Sequence, residues 1–517
     1  DVGAMSVYNT ITSIGESPLD ENLIYAGTDD GLLSVTEDGG DSWRRIEAGE
    51  MGVPGLAFVN DVKVSHQDPN TVFVALDNHK YGDFASYLVK STDRGRTWTS
   101  IAGDLPDRHL VWRVVQDHVD PDLLFAATEF GVFFTVDGGS TWNELPGAPT
   151  ISFRDIVIQR DREDVVAASF GRGIFVLDDY TPLREGADGL EDEAILFDTR
   201  PALWYVPKDI QYAQGANQWT ADNPPFGAVF TYWLRDSYAS LDDERKERES
   251  EIPDAQDVPF PGWDALEAEM REQGPTVQVV IRDQNGTVIN HVDGPTSAGV
   301  HRVAWDFRYS SDAMIGLEGG GGFGGGFLAL PDNYTATLIK IEEGVVTELA
   351  DPVDFQVEPV FDGALERVSP DVVAAFRQEV TSFANALTET ANMLDEQIQR
   401  VEAMQTALSR ADSLAPDLSE RLYQARLELL EIQGRTRGSE AKGEIGERNP
   451  PSPSNRLFVG YRGLSTMYGP TEMHRQSIQV GRAELAPIRA EIERYAQEVV
   501  PSLEQALEAA GAPPIEQ

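Results

Sequence analysis

Four times in the first 180 residues an alternating run is followed by an acidic turn and then by a short apolar run. The alternating runs are TITSI, DVKVS, WRVVQ and RDIVI, and the segments after them are DENLIYAGTD (20–29), DPNTVFVALD (68–77), DPDLLFAATE (120–129) and DREDVVAASF (161–170). Period-two alternation broken by Asp, Asn and Pro predicts short half-buried strands joined by tight turns. In the first three units another apolar run follows and closes on an octet: TEDGGDSW (36–43), STDRGRTW (91–98) and TVDGGSTW (135–142). A repeat of about 45 to 50 residues is the length of a four-stranded propeller blade. The step from Trp43 to Trp98 is 55 residues and from Trp98 to Trp142 is 44, which places an insertion near NHKYGDFAS (78–86).

Beyond an acidic linker at 183–194 the pattern changes. ALWYVP (202–207), AVFTYWL (228–234), TVQVVIRD (276–283), VHRVAWDF (300–307) and YTATLIKI (334–341) predict the strands of an antiparallel sandwich over 195–360. NGTVI (285–289) predicts a hairpin, because Asn-Gly tolerates the positive φ of a two-residue turn. A charged helical insertion at 240–272 and the loop GLEGGGGFGGGF (316–327) interrupt the sandwich. From about 369 apolar residues recur every three or four positions, predicting a long helix, a second at 417–436 and a third at 480–510. The fold class expected is therefore multidomain: four all-β blades (1–182), the sandwich, and an α-helical bundle (361–517) with a long loop at 438–476.

The octets match the Asp-box, S/T-x-D-x-G-x-T-W, of bacterial neuraminidase repeats. Their setting, YAGTDDGLLSVTEDGGDSW and FAATEFGVFFTVDGGSTW closing with SFGRGIFVLDD, resembles the sortilin (Vps10)-like propellers often labelled glycosyl hydrolase in bacteria. It is more distantly similar to two-propeller xyloglucanases. The resemblance covers residues 1 to about 182 and implies that the box lies away from the ligand face. GVHRVAWDFR followed by PDNYTATL resembles the fibronectin-III or immunoglobulin-like modules that follow secreted enzymes.

Each octet residue has a structural task. Asp38, Asp93 and Asp137 are short enough to accept turn N–H groups, the glycines supply positive φ, and Trp43, Trp98 and Trp142 are expected to plug the space between strands. Because propellers close with about 4 to 8 blades, four blades starting at Asp1 are expected to be the C-terminal part of a larger ring. The remaining blades are expected from an upstream segment or a cleaved chain.

Charge narrows the partners. The formal charge of -46 argues against nucleic acid and anionic lipid. Only seven of the 41 basic residues are lysine, and the acidic excess resembles that of proteins from salty habitats. Without cysteine there is no disulfide and no thiol nucleophile. The seven histidines show no paired ligand spacing, so no metal and no cofactor are expected, although Asp-rich turns such as TDDG and TEDGGD could hold a structural calcium. No apolar run approaches membrane-span length.

Chemistry is expected at the strand ends opposite the octets, where Asp29, Asp77, Glu129 and Phe170 share one position in the repeat. That face gathers Asp29, Asp30, Asn78, His79, Lys80, Tyr81, Asp83, Arg154 and Arg172 around Asp77 and Glu129. Two carboxylates flanking a sugar bond are what glycoside hydrolysis needs, so Asp77 and Glu129 are the catalytic candidates. Turn-capping carboxylates would look the same in so acidic a chain. The first reading is an extracytoplasmic binding and scaffold protein whose propeller face recognises a protein, peptide or glycan; the alternative is a glycoside hydrolase acting on a polysaccharide.

Overall fold

The computed structural model describes residues 10–185, 192–207, 223–253, 256–311, 314–315, 326–361 and 363–515. Its first part is a row of antiparallel meanders. The first blade comprises β1 (Ile11–Glu16), β2 (Ile24–Thr28), β3 (Leu32–Thr36) and β4 (Arg44–Glu47). The second comprises β5 (Phe58–Val64), β6 (Val72–Asn78), β7 (Asp83–Ser91) and β8 (Thr99–Ser100). The third comprises β9 (Val111–Gln116), β10 (Leu124–Thr128), β11 (Gly131–Thr135) and β12 (Asn143–Glu144). The fourth shows three strands, β13 (Phe153–Gln159), β14 (Asp164–Ser169) and β15 (Ile174–Leu177), and ends in the short helix α1 (Pro182–Glu185).

Blades stack because each sheet is apolar on both faces. In β6, Val72, Val74 and Leu76 pack into the first blade while Phe73 and Ala75 pack into the third, which is why this strand reads as one unbroken apolar run. The first strands of successive blades adjoin, β1 with β5, β5 with β9 and β9 with β13, giving the inner wall of a β-propeller arc. Register repeats as well: Ile14 faces Ala26, Val62 faces Val74, Val114 faces Ala126 and Ile156 faces Ala167.

Two further sheets share one core. The smaller has the order β16-β18-β21, from β16 (Ala194–Leu196), β18 (Ala228–Leu234) and β21 (Gly299–Trp305). The larger runs β17-β24-β22-β19-β20, from β17 (Ala202–Trp204), β24 (Val353–Pro359), β22 (Asn333–Glu342), β19 (Thr276–Arg282) and β20 (Val288–Gly294), with β23 (Val345–Glu348) off β22. Trp204, Phe230, Trp305, Phe307, Tyr334 and Phe355 fill the space between them. Gly286 turns the β19–β20 hairpin at φ 78°. The insertion carries α2 (Leu241–Ser250) and α3 (Trp263–Arg271), whereas most of the glycine-rich loop, 316–325, lies outside the described residues.

The last part is helical. In α4 (Pro370–Leu408), Phe376, Val380, Phe383, Leu387, Leu394, Ile398 and Val401 keep the three-and-four spacing that makes one apolar stripe, and all seven are buried. It packs on α5 (Pro416–Arg437) and α8 (Glu472–Arg494). The long loop expected at 438–476 is instead partly helical, holding α6 (Glu440–Glu444), α7 (Pro453–Arg462) and the start of α8. Capping boxes at Ser452 and Thr471 begin helices within that Gly- and Pro-rich stretch, and buried Leu457 and Ile478 anchor them. The third helix continues through a π turn (Tyr495–Val499) into α9 (Val500–Ala509).

Candidate functional site

The octets form the β3–β4 type turns, and there their aspartates accept hydrogen bonds from their own loops. Asp38 takes the N–H of Ser42 at 2.9 Å and its hydroxyl at 2.6 Å, together with the Thr36 hydroxyl at 2.8 Å. These donors hold its carboxyl down at about 2. Trp142 is buried and donates Nε1–H to the Ile101 carbonyl at 2.9 Å, and Trp98 is half-buried against the first blade. Trp43 departs from the expected plug, being 46 % exposed. The octet tryptophans dock on the preceding blade rather than within their own, and among the described residues none precedes Trp43.

At the opposite strand ends a cavity of about 660 Å³ spans blades two to four. Its floor is the entry to the inner strands. Backbone bulges between Val59 and Asp61 in β5 and between Phe153 and Asp155 in β13 turn the chain at this rim. Five of the residues expected on this face line the cavity: Asp77, His79, Lys80, Glu129 and Arg154. Five others do not. Asp29 accepts the Thr10 N–H at 2.9 Å, Asp30 accepts the Thr28 hydroxyl, Asn78 donates to Asp83 at 3.1 Å, and Tyr81 and Arg172 are exposed at turns outside it.

The two carboxylates differ in setting. Asp77 is 1 % exposed; Oδ1 pairs with His79 Nδ1 and accepts the His79 N–H, while Oδ2 is buried with no protein donor among the described residues. Glu129 Oε2 accepts from Trp112 Nε1 at 2.9 Å and Ser152 Oγ at 3.0 Å, with Arg154 at 3.4 Å. The Arg154 guanidinium also sits over the indole of Trp112, 3.6 Å from the ring centre. Phe58, Phe84 and Phe130 complete an aromatic wall. Such a wall with a few fixed polar groups is the usual make-up of a small-molecule or glycan cleft.

Trp112, Arg108 and His109 belong to this site and lie outside the sequence-based candidates. They come from the approach to β9 and its first residues, where RHLVW (108–112) crowds an arginine, a histidine and an indole into five residues. That density is the signal in the sequence: Arg108 and His109 precede the repeated run, and Trp112 opens the run WRVVQ at a position where the other three runs carry Thr, Asp and Arg.

Metal-ligand chemistry has one geometric candidate among the described residues. Asp117, His118 and Glu163 bring ligand atoms within 4.8 Å of one another. Arg184 from α1 already occupies it as a cation, donating to Asp117 Oδ1 and Oδ2 at 2.7 Å and to Glu163 at 2.6 Å. Tyr180 donates its hydroxyl to the same carboxylate.

No known family profile matches the chain. Part of it is similar to curated xyloglucanases. A probable oligoxyloglucan-reducing end-specific xyloglucanase of Neosartorya fischeri is 27 % identical over 152 residues, 26 % of this chain and 18 % of that protein. A xyloglucanase of Paenibacillus sp is 26 % identical over 147 residues, 25 % of this chain and 14 % of that protein. The chain thus spans less than a fifth of the length of the curated relatives it matches. Among solved structures, the GH74 xyloglucanase from Xanthomonas campestris superposes with a TM-score of 0.27 at 12 % identity, over 65 % of this chain and 45 % of that one. Among the described residues no helix is long and apolar enough to cross a membrane.

Proposed function

We propose that this chain is the glycan-binding part of an extracytoplasmic glycoside hydrolase, with the cavity across blades two to four as its cleft and Asp77 and Glu129 as its acid–base pair. The observation that carries the proposal is that one aromatic-walled cavity gathers both carboxylates. The partial similarity to xyloglucanases supports it. Asp77 has one buried oxygen unmatched by any described donor, which suits a group that meets its partner on the substrate. Glu129 is positioned by Trp112 and Ser152. On this reading the propeller is of the sortilin-like Asp-box type, the sandwich is immunoglobulin-like, and further blades cover the exposed ends of the arc.

The scaffold reading, first choice on sequence alone, becomes the rival. One feature favours it: Glu129 already has three donors, as a purely structural carboxylate would. Asp77→Asn and Glu129→Gln separate the two. Hydrolysis of a polysaccharide panel should fall by roughly 10²- to 10⁴-fold in each variant if they do general acid–base work. Binding that persists, with no turnover in the parent protein either, would leave the scaffold reading standing.

A further inference from the structure

The cleft's charge is at odds with the chain that carries it. Across the sequence 87 carboxylates face 41 Lys and Arg, whereas the cavity lining holds three of each sign, Lys80, Arg108 and Arg154 against Asp77, Asp107 and Glu129, together with His79 and His109. The acids are partly spoken for. Asp77 is paired with His79, and Glu129 with Arg154. Lys80 and Arg108 make no ion pair among the described residues.

What holds those two cations is aromatic. Lys80 Nζ sits 4.6 Å from the centre of the Phe58 ring, and the Arg108 guanidinium sits 5.2 Å from that of Phe84. A ring orients a cation without neutralising it, so both charges remain available to a ligand. Arg108 is also placed against local preference, with a φ of 68° in the left-handed region that an arginine rarely adopts. Both side chains are exposed and line the same cavity as Trp112 and the buried Asp77.

We infer that the cleft takes an anionic glycan, with Lys80 and Arg108 binding the acidic groups of sugar units that flank the one held beside Asp77 and Glu129. The inference deepens the glycoside hydrolase reading and rests on it. The net charge of -46 repels acidic ligands at long range, so the two rim cations act by selective local attraction as well as by contact. The guanidinium fork of Arg108 suits a planar carboxylate, with two parallel N–H donors.

The test is calorimetric titration of the 517-residue chain with three probes of matched length: an oligouronate, a sulfated glucan oligosaccharide and an unsubstituted glucan oligosaccharide. An acidic probe should bind at least about tenfold more tightly than the neutral one, the factor that corresponds to 1.4 kcal/mol. Raising salt from 50 to 500 mM, roughly a threefold shortening of the screening length, should erase most of that preference. Lys80→Ala with Arg108→Ala should bring the ratio of acidic-probe to neutral-probe affinity, measured in the same variant, down to about one, with the melting temperature unchanged because both side chains are exposed. Whichever acidic probe binds more tightly identifies the acidic group. Neutral-probe binding equal to or tighter than both acidic probes overturns the inference and leaves the glycan reading intact. Failure of all three probes to bind overturns both.

Discussion

The three octet tryptophans show how one motif residue takes its energetic weight from what lies next to it. Trp142 is 6 % exposed and its indole N–H reaches a backbone carbonyl, whereas Trp43 is 46 % exposed at the same motif position. Truncating a buried indole leaves a cavity and an unmet carbonyl, so Trp142→Ala should cost the propeller about 3 to 5 kcal/mol. Trp43→Ala should stay within about 0.5 kcal/mol, the range of surface substitutions. Chemical unfolding followed by blade-specific fluorescence checks both; equal losses would mean that the motif acts within its own blade. The octet aspartates were legible as structural residues because Asp, Gly and Ser at fixed offsets admit few other turns. The exposure of Trp43 was not legible, because a motif specifies its own turn and says nothing about the blade in front of it.

At the level of elements, blade four depends on a charged latch. Asp117, in the turn after β9, is fully buried and accepts from Arg184 and Tyr180, while Glu163, in the turn after β13, shares the same guanidinium. Burial alone would raise the Asp117 carboxyl, but the Arg184 and Tyr180 hydrogen bonds outweigh it and hold the group below the ordinary aspartate value. A depressed carboxyl contributes stability that is fully present above the unfolded value near 3.8 and is lost as pH falls through the lower folded value. Asp117→Asn should therefore destabilise blade four by roughly 1.5 to 3 kcal/mol at neutral pH, the range for charge-assisted hydrogen bonds, because the half-buried Arg184 keeps Glu163 as a partner. Its deficit against the parent protein should shrink on acidification below pH 3.8, a trend that thermal unfolding at several pH values would reveal; a deficit independent of pH would sink the latch. Strands such as Ala228–Leu234 were readable because a short apolar run bounded by turn residues is a local pattern, whereas their partners, Ala194–Leu196 and Gly299–Trp305, lie far off in sequence. The latch joins residues 117, 163 and 184, α7 rests on a cap at Ser452 and the distant packing of Leu457, and α6 is a five-residue turn capped by Ser439, so none of them leaves a periodic trace. The cleft divides the same way: Asp77 and Glu129 occupy a repeated position, while Arg108 lies in the connection before β9 and Trp112 stands at a repeat position that holds no indole in the other blades.

The whole arc ends in two apolar faces that its interior would bury. Ile14 is 64 % exposed, although the residues in the same register of the next three blades, Val62, Val114 and Ile156, are at most 2 % exposed. Ile174 is 69 % exposed at the far end, where its counterparts Leu33, Leu88 and Val132 are at most 1 % exposed. The glycines agree: a Cβ on Gly95 would meet Ile46 at 3.0 Å and one on Gly139 would meet the Ile101 carbonyl at 2.7 Å, while one on Gly40 would meet nothing within 4 Å. Every internal joint thus buries the same repeat positions, and both ends offer those positions to solvent. Faces of this composition and register fit further meander blades, which would supply a Tyr25-, Phe73- or Phe125-like side chain against Ile14 and an inner strand against Ile174. Carbene footprinting of protein isolated from its source, compared with the 517-residue chain alone, reads this directly. Ile14, Ile174 and Trp43 should be labelled in the chain and protected in the source material, whereas the Lys80 and Arg108 rim stays accessible in both. Equal labelling of Ile14 and Ile174 in the two samples would mean that the arc works open, and the cleft across blades two to four would then have to act without a closed ring around it.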